Sequence, residues 1–243
     1  MSISLDDFIF VYYENFRSRA YAQVLTENGF FPRKVIKLGD EIEPGFFLKY
    51  SKSSLSYSNI IFNPQISVAK SFEKFGVAVE EISIDNVNSR EFVNLLDKYV
   101  FKYLIYSGKA GVIIKNDILN VCEGILHVHG GHLPEYRGST TFYYSILDKF
   151  EIGASAIFLN SEIDEGRVIF RKKYTPINQV DIDYIQDPMV RANVLLESLK
   201  VLIGNHLDEV SLEQDKTLGN TYRVIHPVLK SFALRKIGLF PNL

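Results

Sequence analysis

The 243-residue chain is predicted to form a doubly wound α/β domain around a mostly parallel sheet. Short apolar runs with almost no polar interruption, such as Phe8-Ile9-Phe10-Val11-Tyr12-Tyr13, suit strands buried on both faces. These runs alternate with segments of helical spacing, the pattern of a sheet wrapped by helices. Hydrophobic residues make up 47% and charged residues 23%, so a chain of this length buries a full core.

The elements follow in order. Phe8–Tyr13 is the first strand, Glu14-Asn15-Phe16 the turn, and Arg17 to Asn28 a helix ended by Gly29. Lys34–Leu38 is the second strand. Residues 39–65, with Gly39, Pro44, Gly45 and a Ser/Tyr-rich run, are the least regular part of the chain and read as loop. A helix at Ser67–Phe75, a strand at Val77–Ile84, a helix at Ser89–Tyr99 and a strand at Phe101–Tyr106 follow, then a glycine break at 107–111. Gly124–His129 is a short buried strand. Ser139 to Lys149 is a helix with Ser139 or Thr140 as N-cap. Strands at Ala154–Leu159 and Arg167–Tyr174 flank a turn, and a long helix runs from Pro188 to His206. Residues 1–206 are expected to form the main domain. Residues 207–243, a polar stretch and a last helix at Pro227–Ile237, are expected to be a tail that packs on that domain or at a homodimer interface.

Composition removes several functions. A net charge of −2 favours neither nucleic acid nor an anionic membrane surface. The single Cys122 excludes an internal disulfide framework, the N-terminus lacks signal-peptide regions, and no apolar run is long enough to span a membrane. A cytoplasmic location is expected. No G-x-G-x-x-G follows the first strand and no P-loop is present.

Three of the five histidines fall within His127-Val128-His129-Gly130-Gly131-His132. A strand has a side-chain period of two, so His127 and His129 leave it on the same face. Gly130 and Gly131 allow a sharp turn, and Pro134 bars a return to regular structure. Two imidazoles aimed one way at a strand end, beside a glycine turn, suit proton transfer or ligation. Asp164, two residues before Gly166, is either a turn residue or a partner to that pair.

The stretch Ile125–Gly138 with Leu133-Pro134-Glu135-Tyr136-Arg137-Gly138, followed by Glu162-Ile163-Asp164-Glu165-Gly166, resembles the catalytic core of the folate-dependent formyltransferases. Their pattern is Asn-x-His, a Leu-Pro-x-Tyr-Arg-Gly-like loop, and an Asp-x-Gly about thirty-five residues beyond the His. The resemblance is strong over 101–175 and loose before that. It implies a Rossmann-like fold with helices on both faces, and N10-formyl-tetrahydrofolate as co-substrate without a metal. The catalytic residues it implies are His127, His129 and Asp164. The pterin would lie against Gly111, Val112 and Ile113 on one side and Leu159, Asn160 and Ile163 on the other.

One position departs from the pattern: His127 stands where the family has Asn. In relatives that Asn donates to the formyl oxygen, and losing one such donor costs roughly 100- to 1000-fold in rate. A neutral imidazole retains one N–H and can donate instead. His129 is the expected general base, oriented by Asp164. Tyr136 and Arg137 shape the loop, with an acceptor-phosphate contact the alternative for Arg137. The slight acidity, and an end about seventy residues after the sheet, point to a small amine acceptor rather than tRNA. An amino sugar carried on a nucleotide fits best. Lys49–Ser58 either lines its pocket or is an exposed loop. Two rivals stand beside this reading: a metal-dependent hydrolase using His127, His129, His132 and Asp164, and a catalytically silent ligand-binding relative.

Overall fold

The structure, a computed structural model, describes residues 3–39, 44–50, 55–57, 60–109 and 111–240. Its centre is a seven-stranded sheet. In chain order the elements are β1 (Phe8–Tyr13), α1 (Phe16–Glu27), β2 (Lys34–Leu38), α2 (Pro44–Leu48), β3 (Leu55–Tyr57), β4 (Ile60–Phe62), α3 (Val68–Glu73), β5 (Val79–Ile82), α4 (Arg90–Leu96), β6 (Tyr103–Ser107) and α5 (Asn116–Leu119). Then come β7 (Gly124–His129), β8 (Tyr136–Gly138), α6 (Thr141–Lys149), β9 (Ile152–Phe158), β10 (Val168–Tyr174), a π-helical turn (Ile182–Gln186), α7 (Asp187–Leu202), α8 (Leu207–Val210), β11 (Asn220–Tyr222) and α9 (Pro227–Lys236).

The large sheet runs β10-β9-β7-β6-β1-β2-β5. Strands β5, β2, β1, β6 and β7 are mutually parallel, and β9 is antiparallel to both β7 and β10. This is the α/β fold with a mostly parallel sheet that the apolar runs predict. The unbroken hydrophobicity of β1 has a direct cause. Phe8, Phe10 and Tyr12 pack into one core with α1, α3 and α7, while Ile9, Val11 and Tyr13 pack into a second with α4 and α5. A strand covered by helices on both faces has no position left for a polar side chain.

Several local expectations shift. Residues 39–65 contain a short helix and the antiparallel β3–β4 pair rather than loop alone. Of the Lys49–Ser58 stretch, residues 51–54 and 58 lie outside the described residues. The long helix stops at Leu202, because Ile203 turns extended and pairs with Ile3. Thr140 does not cap α6 with its side chain. Its backbone is left-handed (φ 52), and its hydroxyl donates to Ser139 O and accepts from Ile225 N–H at 2.8 Å.

Beyond the large sheet, residues 207–240 return to the body of the molecule. Leu212 bridges Val168, β11 pairs in parallel with β8, and α9 packs on α6. The turn after β7 is held from behind by β9. Ser155, fully buried, accepts from Leu133 N–H at 2.9 Å and donates to Gly131 O at 2.8 Å. Replacing Ser155 by Ala leaves a buried N–H and a buried carbonyl unpaired, so Ser155→Ala is expected to lower stability by roughly 1–3 kcal/mol. A lower urea midpoint with an unchanged slope is the expected outcome.

Candidate active site

A cleft of about 740 Å³ opens beyond the carboxyl ends of β1, β6 and β7, where ligands bind in sheets of this type. His127, His129, Asp164, Gly111, Val112, Ile113, Leu159, Asn160 and Ile163 all line it. The two histidines come from β7, in register with Ile157 and Ser155 of β9. Asp164 comes from the turn between β9 and β10 and adopts φ 58, so it is a turn residue and a partner to the histidines at once.

His129 is buried, with both ring nitrogens against oxygen atoms. Nδ1 lies 3.2 Å from Asp164 Oδ1, and Nε2 lies 2.8 Å from the carbonyl of Tyr136. Two N–H donors satisfy that arrangement, so the ring as placed has no free lone pair for a substrate. The other oxygen of Asp164 accepts from Gly138 N–H at 2.8 Å. Burial pushes the Asp164 carboxyl up. The His129 ring and the Gly138 amide outweigh it and hold the carboxyl well below the usual range.

His127 lives differently. Its ring is half-buried, and Nδ1 is enclosed without a hydrogen-bond partner among the described residues. Burial depresses its proton affinity, Arg17 and Arg191 depress it further, and Asp164 opposes them without prevailing. The imidazole is therefore neutral near pH 7 and keeps one N–H.

The glycines here answer to close approach. A Cβ on Gly130 would meet Arg191 Nη2 at 2.4 Å, and one on Gly131 would meet the Tyr136 carbonyl at 2.4 Å. Gly138 combines φ +91 with the Tyr222 carbonyl 2.1 Å from where its Cβ would stand.

Two of the alternative roles lose their support. Arg137 is buried and spent on the tail, donating to Leu218 O at 2.9 Å and Thr221 Oγ1 at 3.4 Å, which leaves it no place in an acceptor contact. His132 does not line the cleft. Its Nδ1 lies 3.1 Å from Glu135 Oε1, in a cluster with Lys149 and Lys173. The hydrolase rival thereby loses its third histidine ligand, and among the described residues no group of three His, Cys, Asp or Glu side chains is gathered as a metal site requires. Tyr136 does shape the loop, donating to Asp148 at 2.6 Å.

Residues that sequence reasoning passed over also line the cleft: Arg17, Tyr106, Arg191, Thr221 and Arg223. Arg17 carried a usable signal, since it follows the first strand, where such sheets bind ligands. Arg191 sits inside a long helix and Thr221 in a polar tail, positions with no local mark. Gln214 holds the turn that carries Asp164, donating to the carbonyls of Asp164 (2.8 Å) and Gly166 (2.7 Å).

Comparison with known proteins places this geometry. Residues 63–193 match the family described as Formyl transferase. A methionyl-tRNA formyltransferase from Finegoldia magna is 31% identical over 117 residues, 47% of this chain and 37% of that protein. The match thus spans little more than a third of that curated relative. Among solved structures, glycinamide ribonucleotide transformylase 1 from Symbiobacterium toebii shares 14% identity with a TM-score of 0.56, over 81% of this chain and 87% of its own. A sugar N-formyltransferase from Shewanella sp FDAARGOS_354 shares 15% with a TM-score of 0.57, over 97% and 89%. At these identities the structural likeness establishes the fold.

The pH dependence of stability follows from His127. In the unfolded chain its imidazole takes a proton below about pH 6.5, while in the folded protein it stays neutral to lower pH. The unfolded state then binds more protons, so this contribution is full above pH 6.5 and lost as pH falls, by up to about 1.4 kcal/mol per pH unit. Chemical unfolding between pH 7 and pH 5 should show a steeper loss in the parent than in His127→Gln.

Proposed function

Because the chain belongs to the formyl transferase family, we propose that it moves a formyl group from N10-formyl-tetrahydrofolate to the amine of a small acceptor, best fitted by an amino sugar linked to a nucleotide. The observation that carries this reading is the His129–Asp164 pair opening on the same cleft as the unpartnered Nδ1 of His127. A fold shared with a sugar N-formyltransferase supports the sugar assignment. The net charge of −2 offers nothing to a tRNA backbone.

The residues present fit the folate. Val112, Ile113 and Ile163 line the cleft with apolar side chains 39%, 62% and 54% exposed, surface that a flat pterin would cover. Asn88 already takes the Ile113 carbonyl at 2.8 Å. The N–H and carbonyl of Val112 have no partner among the described residues and are available to read the pterin edge. When bound, the folate supplies the formyl carbon that the amine attacks.

The chain's own groups do the rest. His127 stays neutral and donates its N–H toward the oxygen that gains negative charge, the part the family assigns to Asn. His129 keeps Nδ1–H on Asp164. To act as base its Nε2 must first give its proton to solvent and leave the Tyr136 carbonyl; it then takes the proton released by the amine, and Asp164 stabilises the imidazolium that results. Asp164 remains charged throughout, anchored by the Gly138 amide.

Steady-state kinetics with N10-formyl-tetrahydrofolate and a panel of nucleotide-linked amino sugars tests the assignment, and no transfer to any amine would overturn it. His127→Ala is expected to lower kcat and kcat/KM together by roughly 100- to 1000-fold while folate affinity holds, because the lost donor acts mainly in the transition state. His127→Asn should recover part of that loss, and His129→Ala should cost more than either.

Folate binding has its own check. Val112→Pro removes an amide without a hydrogen-bond partner among the described residues and should weaken tetrahydrofolate binding about tenfold or more in calorimetry. Unchanged affinity in a folded variant would place the pterin elsewhere.

A further inference from the structure

The floor of the cleft carries more polar groups than formyl transfer uses. Arg17 enters it from the first turn of α1. Its Nε donates to Ser107 Oγ at 3.2 Å and an Nη donates to the carbonyl of Gly108, both neutral acceptors. Among the described residues, no carboxylate lies within ion-pair distance of this guanidinium. Arg191, across the floor, is differently placed: it is spent on Asp187 at 2.6 Å and the Val128 carbonyl at 2.8 Å.

Around Arg17 stand polar atoms without partners. Tyr106 is buried and lines the cleft, and its hydroxyl has no hydrogen bond among the described residues. That hydroxyl lies so close to Gly108 that a Cβ there would meet it at 2.1 Å, which puts it beside the carbonyl Arg17 holds. The enclosed Nδ1 of His127 is likewise unpartnered, and so is the hydroxyl of Tyr21, one helical turn beyond Arg17. Arg17 feels Arg191, Tyr21, Asp187 and Tyr106 as its electrostatic neighbours.

A guanidinium held only by neutral hydrogen-bond acceptors, beside an unpartnered hydroxyl, suits one kind of ligand. A cation is repelled by Arg17, while Arg191 is already paired with Asp187. A neutral group leaves the charge of Arg17 unanswered. An oxyanion meets both the charge and the free donors, and guanidinium is the side chain best shaped to hold one.

We propose that Arg17, with Tyr106, forms an oxyanion-binding subsite that takes a carboxylate or phosphate group of the acceptor. The ion is anchored in the floor while the acceptor's amine reaches His129 and Asp164. Assigning the ion to the acceptor rests on the formyl-transfer reading; the subsite itself does not.

Titration calorimetry of the full chain with inorganic phosphate and with acetate, at constant ionic strength set by chloride, tests the subsite directly. At least one ion should bind saturably. Preference for phosphate marks a phosphorylated acceptor, and preference for acetate a carboxylated one. Arg17→Gln, which keeps a hydrogen-bonding amide but removes the charge, should weaken that ion about tenfold or more. Tyr106→Phe removes a hydroxyl that no described residue uses, so it should fold as the parent does and weaken the ion by a smaller factor. Lys200→Gln, on the exposed side of α7, should bind like the parent. The subsite is overturned if neither ion binds saturably, for then water fills the floor. It is equally overturned if affinity is unchanged in Arg17→Gln or, should that variant not fold, in Tyr106→Phe. Ion binding without formyl transfer to any amine would sink the enzymatic reading and leave the subsite standing. Transfer without ion binding would do the reverse.

Discussion

The carboxylate of Asp164 is the point on which the site depends, because it is largely enclosed and charged and each of its oxygens is held by a different segment. Oδ1 faces the His129 ring from β7, and Oδ2 takes the amide of Gly138 from the loop after it. Its own turn is clamped by Gln214 from the tail. A buried carboxylate without donors is costly, so removing any one of these partners disturbs the other two. The neighbouring backbone follows from the same requirement. Gly138 must bring its N–H to Asp164 with the Tyr222 backbone directly behind it, a space in which no side chain fits.

The two imidazoles of β7 share a face but not an environment. His129 sits between a carboxylate and a carbonyl. Burial, reinforced by Arg17 and Arg191, lowers the proton affinity of His127 and leaves it an uncharged group with one N–H to offer.

The tail contributes the outer wall. Arg137, buried, reaches back to Leu218 and Thr221, while β11 adds a strand to β8 and brings Thr221, Tyr222 and Arg223 to the cleft. The same pairing sets the left-handed backbone of Thr140, whose hydroxyl receives Ile225 N–H. A β-branched residue in that region is strained and persists only where surrounding contacts over-determine it.

Much of this was readable in the residues themselves. The double-faced burial of β1 shows as an unbroken apolar run, because a strand covered on both sides cannot alternate. His127 and His129 share a face because a strand repeats every two residues, and the loop and Asp164 carried a family pattern. Tertiary structure decided what local chemistry cannot encode. Whether Asp164 was a turn residue or a partner depended on where its turn came to rest against β7. Whether Arg137 met a substrate or the tail depended on a strand more than eighty residues later. The lowered proton affinity of His127 depended on its burial and on arginines from two helices distant in the chain, Arg17 and Arg191, which only the packing of α1 against α7 brings to one floor. Period and composition are properties of neighbours along the chain, whereas charge environment is a property of neighbours in space.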